Sequence, residues 1–420
     1  MTSTQSKVPQ LRFPEFSGEW KSHKLSEYIQ VRKGGASLKP SDFVEDSVCQ
    51  VIPKKAIVYG GLLTLDNKRP TFCSEDFFAS NQTSVVDNEY LLTTLRDLVP
   101  SAPSLGLIVA NSNKEKLLMA QGVYGFKVSS GLSGGFLCDL SNTTKYRRLM
   151  YKMCVGSTQV HMRSSEFFEF SFNVPDIEEQ NRIDFFLSCI DKKTNILKQK
   201  HEYLIRYKKS LMQQLFSQQL RFKDDNGQDF PDWDVKALSS IAKKVSTKNK
   251  DDSVKSVLTN SAKHGIVNQL DYFDKDIANE NNLTNYCVVE KNDFVYNPRI
   301  SVHAPVGPIK RNHICKGVMS PLYTVFRFKD VELLDFVEIF FGTTFWHRYM
   351  NSIANFGARH DRMNITSGDF FALPIKVPCV EERIKLVGFV KYIDKKINLA
   401  QQQIEQTQVY KQGLLQQMFV

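Results

Sequence analysis

Two short stretches carry residue types that could do chemistry. Asn297-Pro298-Arg299 begins like the Asn-Pro-Pro-aromatic motif of adenine methyltransferases, whose targets are bases taken out of the stack and held against an aromatic ring. The second proline and the aromatic residue are both missing, so the stretch lacks the group that would stack on a base. Pro231-Asp232-Trp233-Asp234-Val235-Lys236 puts two carboxylates near a lysine, as metal-dependent nucleases do, but too close together for the usual pair of strands. A turn leading into a structural tryptophan accounts for it better. The chain has no G-x-x-x-x-G-K-[ST] loop for a nucleoside triphosphate, no G-x-G-x-x-G after a strand and no H-E-x-x-H. Its eight histidines and eight cysteines follow no ligand spacing. No catalytic or metal-binding residue is assigned, and the chain is expected not to be an enzyme on its own.

Composition points to a binder. The net charge of +10 and the pI near 9.0 favour an anionic partner, and 42% apolar with 11% aromatic residues supports folded cores rather than a disordered basic tail. The scattered cysteines read as reduced thiols. The first ten residues are polar and no run approaches the roughly 18 apolar residues of a membrane span, so a cytoplasmic protein with no membrane association is expected.

The elements that must position any binding residues are written twice. Residues 167–216 and 370–419, offset by 203, share 20 identities in 50 positions. Phe167-Phe168, Val174-Pro175, Glu178-Glu179, Ile190-Asp191-Lys192-Lys193, Tyr207-Lys208 and Phe216 all recur. Apolar residues recur at heptad spacing: Ile183, Leu187, Ile190, Leu197, Leu204, Leu211 and Leu215 in the first copy. In the second they are Leu386, Val390, Ile393, Ile397, Ile404, Leu414 and Met418. Such a seam predicts two helices of about 44 residues, roughly 65 Å each, that bury their stripes on each other as an antiparallel coiled coil. Thr194, His201, Thr407 and Lys208 are the polar seam residues expected to set its register.

The repeat is also closed on itself. Leu220-Arg221-Phe222 with Trp233 and Leu238 follows the first copy, whereas Leu11-Arg12-Phe13 with Trp20 and Leu25 stands near the N-terminus and the second copy ends at Phe419-Val420. This predicts a circular, pseudo-two-fold organisation with neighbouring termini, and Trp20 and Trp233 as matched core anchors. The regions between, with β-like runs at Ala56–Tyr59, Gly106–Ala110 and Tyr323–Phe328 and helices near 331–341 and 344–353, align poorly with each other. The expected fold is α+β: two mixed α/β domains at 1–166 and 221–369, unlike each other, with long spacer helices at 176–220 and 379–420.

The heptad segments, their Val-Pro-x-x-Glu-Glu entry and the exit Gln213-Gln-Leu-Phe-Ser-Gln-Gln-Leu-Arg-Phe-Lys-Asp224 resemble the specificity subunits of type I restriction-modification systems. The stretches Gly357–Ile365 and Gly317–Val325 of the second domain share that resemblance, and the first domain is less typical. The resemblance implies two target recognition domains that read an asymmetric, split sequence in double-stranded DNA. It implies partners as well: two modification subunits that methylate adenine N6, and restriction/translocase subunits in the full complex. S-adenosylmethionine, ATP and Mg would belong to those partners, with none bound by this chain. Readers one helical turn of DNA apart would sit about 34 Å from each other, a span such helices can bridge.

On that reading, side chains must reach base edges while cations hold phosphates. The candidates in the first domain are Lys33, Ser37 and Lys39, the pair Lys68-Arg69, and the loop Gly156–Gln159 (with Thr158 and Gln159) running into His161 and Arg163. In the second they are Arg299, His303, Arg359, His360 and Arg362, with Lys310 and Arg311 on phosphate. Three rivals stand beside this reading. They are a duplicated stand-alone DNA-binding regulator or architectural protein, a pure coiled-coil scaffold, and a lone methyltransferase.

Overall fold

The computed structural model describes residues 7–272, 280–356 and 361–420. The chain forms two compact units of mixed α/β structure, residues 1–200 with 400–420 and residues 201–399. Each long helix therefore contributes its beginning to one unit and its end to the other. The helices span Ile177–Phe216 and Val380–Met418, 40 and 39 residues, a turn shorter than the expected 44. Beyond Phe216 the chain leaves the helix through Gln218 in the left-handed region (φ 61°), where the Leu220 amide bonds the Gln214 carbonyl.

In the first unit, Ile183, Leu187 and Ile190 from the start of one helix share a core with Leu414 and Met418 from the end of the other. In the second unit, Leu211 and Leu215 meet Leu386, Val390 and Ile393. Ile404 is buried, while Leu197, Leu204 and Ile397, nearer the helix middles, are half-buried, as a seam polar at its centre requires. Thr194 and Thr407 do not bridge the helices. Their hydroxyls donate back to the Ile190 and Gln403 carbonyls, one turn earlier on the same helix. The cross-helix polar contacts come instead from Lys411 to Asp191 (2.6 Å) in the first unit and Lys208 to Asp394 (2.5 Å) in the second.

Each unit is fastened to its helix ends by the same set of contacts. A short strand, Lys21–Lys24 or Asp234–Ala237, pairs antiparallel with the strand that leads into the long helix, Ser171–Val174 or Pro374–Val377. Phe13 meets Phe186 edge-on at 5.7 Å, and Phe222 meets Phe389 at 5.6 Å. The helix-entry glutamates Glu179 and Glu382 are buried and take forked hydrogen bonds from Arg12 and Arg221. Trp20 and Trp233 are buried beside Phe419 and Phe216. Leu11, near the start of the chain, donates its amide to the Gln417 carbonyl at 2.9 Å, the counterpart of the Leu220–Gln214 bond.

The regions between these anchors share the order of one four-stranded sheet despite their unlike sequences, although the first also holds a three-stranded sheet of Val51–Ile52, Leu117–Met119 and Val85–Val86. Each holds a four-stranded antiparallel sheet whose first strand lies beside its last. In the first unit the order is Ile29–Gly34, Val123–Val128, Leu91–Thr94, Ile108–Ala110. In the second it is Ala242–Lys244, Thr324–Phe328, Phe294–Tyr296, Ile309–Arg311. The expectation of two unlike domains is corrected at this level. Helices follow each sheet at Gly134–Ser141 and Thr144–Met153, and at Leu334–Phe341 and His347–Ile353. The strand expected at Ala56–Tyr59 is absent, because Lys54–Ala56 forms a 3-10 turn there.

Candidate nucleic-acid interface

The third strand in the order of each sheet runs on into a small two-stranded ladder. In the first unit Arg96 pairs with His161, and the Met162 amide bonds the Leu95 carbonyl at 3.0 Å. In the second, Arg299 pairs with Arg362, and the Met363 amide bonds the Pro298 carbonyl at 3.0 Å. Met162 and Met363 are buried and pin the two ladders to their cores, while all four ladder side chains, Arg96, His161, Arg299 and Arg362, are exposed. The same place in both units thus presents two side chains able to donate to base edges.

In the first unit, Arg96, His161 and Arg163 line one groove with Gln121 and Tyr124, about 370 Å3 in volume. Gly156 (φ 116°) makes the turn before His161 possible, since a Cβ there would lie 2.1 Å from the Gln159 carbonyl oxygen. That turn keeps Thr158 and Gln159 exposed beside the ladder. Nothing local in the sequence marks Arg96; only the strand pairing brings it to His161.

In the second unit, Asn297 accepts the Arg299 amide at 3.0 Å, so the Asn-Pro-Arg stretch is a turn that aims Arg299. The Ser301–Ala304 turn beyond it leaves His303 exposed. Arg362 has Asp361 at 3.9 Å. Arg359 and His360 lie outside the described residues.

The other candidates divide. Ser37, Lys39, Lys68 and Arg69 are exposed; the last two lie on a loop whose backbone amides hold Asp66 and keep its carboxyl below the usual range. Lys33 is taken up internally, donating to the Val85 carbonyl at 2.6 Å over the Tyr90 ring. Lys310 is half-buried on its strand. Arg311, expected on phosphate, is bound to Asp335 at 2.7 Å, Glu338 at 3.3 Å and Asn292, with its side chain 12% exposed. A guanidinium matched by two carboxylates has little left to offer a phosphate, so Arg311 and Lys33 are better described as braces than as contacts.

The two ladders define a class, a pair of α/β modules matched in sheet order on long helices, each offering a basic pair. Residues 17–205 match the model of the Type I restriction modification DNA specificity domain. The match falls on the first region and its helix, so the sequence-based view of that region as the less typical one is corrected. A curated relative, the Type I restriction enzyme MjaVIII specificity subunit of Methanocaldococcus jannaschii, is 23% identical over 214 residues, 50% of this chain. The matched segment spans about half the length of that relative (49%). Among solved structures, the type I S subunit from M. genitalium superposes with a TM-score of 0.51 at 13% identity, covering 98% of this chain and 99% of that one. The HsdS subunit from Thermoanaerobacter tengcongensis gives 0.50 at 14%, covering 100% and 99%. A chain from work on complex assembly and conformational transition of the type I R-M system gives 0.55 at 13%, covering 95% and 97%. The resemblance read from the sequence to type I specificity subunits is borne out.

Among the described residues no helix is long and apolar enough to cross a membrane, and all eight cysteines are free thiols.

Proposed function

We propose that this chain is the DNA-reading subunit of a type I restriction-modification complex. Each unit takes one half of a bipartite, asymmetric target, and the long helices act as an antiparallel, pseudo-two-fold coiled-coil spacer. The observation that carries the reading is an exchanged ion pair. Asp191 and Lys208 recur 203 residues later as Asp394 and Lys411, and the bonds formed are Lys411–Asp191 and Lys208–Asp394. Residue i of one copy meets j of the other, and j meets i, which is the signature of a two-fold relation. Two readers of one sheet order but different side chains, set on such a frame, suit a split target with unlike halves. The base contacts we assign are Arg96 with His161 and Arg163, and Arg299 with Arg362 and His303.

The outer helix faces suit the docking of modification subunits. Flanking the seam, Ile196, Tyr203 and Tyr207 on one helix and Tyr392, Leu399 and Tyr410 on the other remain exposed. Two of these positions, 196/399 and 207/410, are repeat equivalents, as two copies of one partner would require. Catalysis and S-adenosylmethionine we assign to those partners, and ATP and Mg to the restriction subunits that join them.

The test is methylome sequencing of a host lacking such a system, supplied with this chain and its cognate modification subunit. The expected result is a split motif with N6-methyladenine on both strands that vanishes when this chain is omitted. If the two proteins co-purify, the methyltransferase is competent with another specificity subunit and no motif appears, the reading fails.

A further inference from the structure

The second unit contains a basic groove apart from its ladder. It is about 570 Å3 in volume and is lined by Lys243, Lys244, Lys248, Lys250, Lys316 and Arg327, together with the hydroxyls of Ser246 and Thr247. Its two acids are already engaged. Asp251 accepts from the Ser253 hydroxyl at 3.0 Å, and Glu290 pairs with Lys316 at 3.0 Å. Arg327 is held by the fully buried Asp293 through two bonds of 2.6 and 2.9 Å. Four lysines remain. Lys244 and Lys248 reach only neutral atoms, Lys244 the Ser367 hydroxyl at 3.4 Å and Lys248 the Asn285 carbonyl at 2.9 Å and the Cys287 sulfur at 3.4 Å. Lys243 and Lys250 are exposed and have no ion pair among the described residues.

The matching strand of the first unit carries two cations, Arg32 and Lys33, each with a local contact of its own. There Arg32 lies over the Phe168 ring at 5.9 Å, and Lys33 is bound to the Val85 carbonyl. Lysines and hydroxyls along an open groove, with no fork held in place to read a base edge, are what phosphate oxygens ask for. Compact ammonium groups act there as point charges.

We infer that this groove grips the phosphate backbone of the DNA half bound by the second unit, holding it without selecting bases. The inference rests on the reading proposed above and adds an asymmetry to it: the second unit is the electrostatic anchor of the pair.

The test uses the complex of the full chain with its modification subunits. Binding to duplexes with and without the methylated motif is titrated over roughly 50 to 200 mM salt. The K243Q/K250Q double variant should lower the slope of log affinity against log salt by about two, near 0.9 for each phosphate no longer neutralised. Both duplexes should weaken by the same factor, and the methylated motif should stay as it was. A K236Q control, outside the groove lining, should leave the slope unchanged, and matching thermal melts should show all variants folded. An unchanged slope in the double variant overturns the inference while leaving the DNA-reading function intact. A changed base in the second half-motif overturns it too, because the lysines would then be readers. Loss of co-purifying modification subunit at constant salt slope would mean the groove takes an acidic protein surface instead. A wild-type complex that neither binds nor methylates a motif would remove the function and this inference together.

Discussion

The two units solve the same anchoring problem with different completeness. In the second, buried Glu382 serves three donors: the two guanidinium arms of Arg221 and the Trp233 indole N–H at 2.9 Å. In the first, Glu179 serves Arg12 alone, and the Trp20 indole N–H is buried without a partner among the described residues. Arg12 and Trp20 are 8 residues apart where Arg221 and Trp233 are 12 apart, the difference being taken up by the Asp224–Gln228 turn. At the helix pair the imbalance is reversed. Lys208 and Asp394 form a half-exposed pair near Ile339, but Lys411 is shared by Asp191 and by Asp139 of the Gly134–Ser141 helix at 3.2 Å. Phe136 and Phe336 hold matching places against Phe419 and Phe216, so Asp139 stands where the second unit has Ile339. A duplicated frame therefore keeps its register while each inserted region completes the polar contacts in its own way.

The largest effect should come from the frame glutamates. Replacing Glu382 by alanine strands a part-buried guanidinium and an indole N–H, a loss of about 3–5 kcal/mol. Glu179→Ala should cost less by about 1–3 kcal/mol, the worth of the missing indole bond. Urea unfolding of the full chain, with hydrogen exchange to localise the loss to one unit, makes the comparison. Equal losses would mean that the Trp233 bond adds nothing and that the forked arginine is the whole anchor.

The shared lysine comes next. Lys411→Gln at pH 8 leaves Asp139 and Asp191 facing each other beside the partly buried Asp184, and should cost about 3 kcal/mol or more. Lys208→Gln removes half of a pair that is about one-third to one-half exposed, and should cost no more than about 1 kcal/mol. Thermal melting of both variants at one salt concentration decides it; similar shifts would show that burial of Lys411 does not set its weight.

Much of this frame is legible in the sequence. Heptad spacing survives in a single sequence because each buried position repeats locally, and Leu386, Ile393 and Leu414 are buried as their register demands. The common sheet order was not legible. Its strands run from three to six residues and pair across up to about a hundred residues of chain, so no local pattern records which one lies beside which. The ladder is half legible: His161, Arg299 and Arg362 stand in basic loops of the sequence, whereas Arg96 is brought to His161 only through a long-range pairing. The basic groove is not legible in the sequence, where separated lysines look like ordinary solvated charge. Its signal was position, since Lys243 to Lys250 follow the Trp233–Leu238 anchor as Lys33 to Lys39 follow Trp20–Leu25.

Asp139 makes the comparison pH-dependent. Burial pushes its carboxyl up to about 7 despite Lys411, while Lys411 itself is raised, Asp139 and Asp191 more than offsetting its own burial. A carboxyl raised in the folded state takes up a proton there before the unfolded chain does. Stability of the first unit should therefore rise as pH falls from about 8 through 7, and flatten near the unfolded value of about 4. Across that window the gain is on the order of 2–4 kcal/mol, and Asp139→Asn should abolish most of it. Melting temperature against pH for wild type and variant reads this directly. Parallel curves would place the titration on another group, with Asp184, also raised by burial, the next to replace.

The smallest effect separates the two tryptophans. Phenylalanine at either position gives up ring area and leaves a void, so both changes destabilise. At Trp233 the change also abandons a bond to a buried carboxylate, whereas at Trp20 it removes a buried donor that nothing serves. The transfer and cavity costs are alike, because both rings pack edge-on against the matching phenylalanine at 6.2 and 5.9 Å. The difference then isolates the indole N–H, and Trp233→Phe should exceed Trp20→Phe by about 1–3 kcal/mol in urea unfolding. Equal costs would mean that the Trp20 N–H is satisfied in solution by a trapped water, and that the shorter Arg12–Trp20 loop loses nothing by failing to bring a carboxylate within its reach.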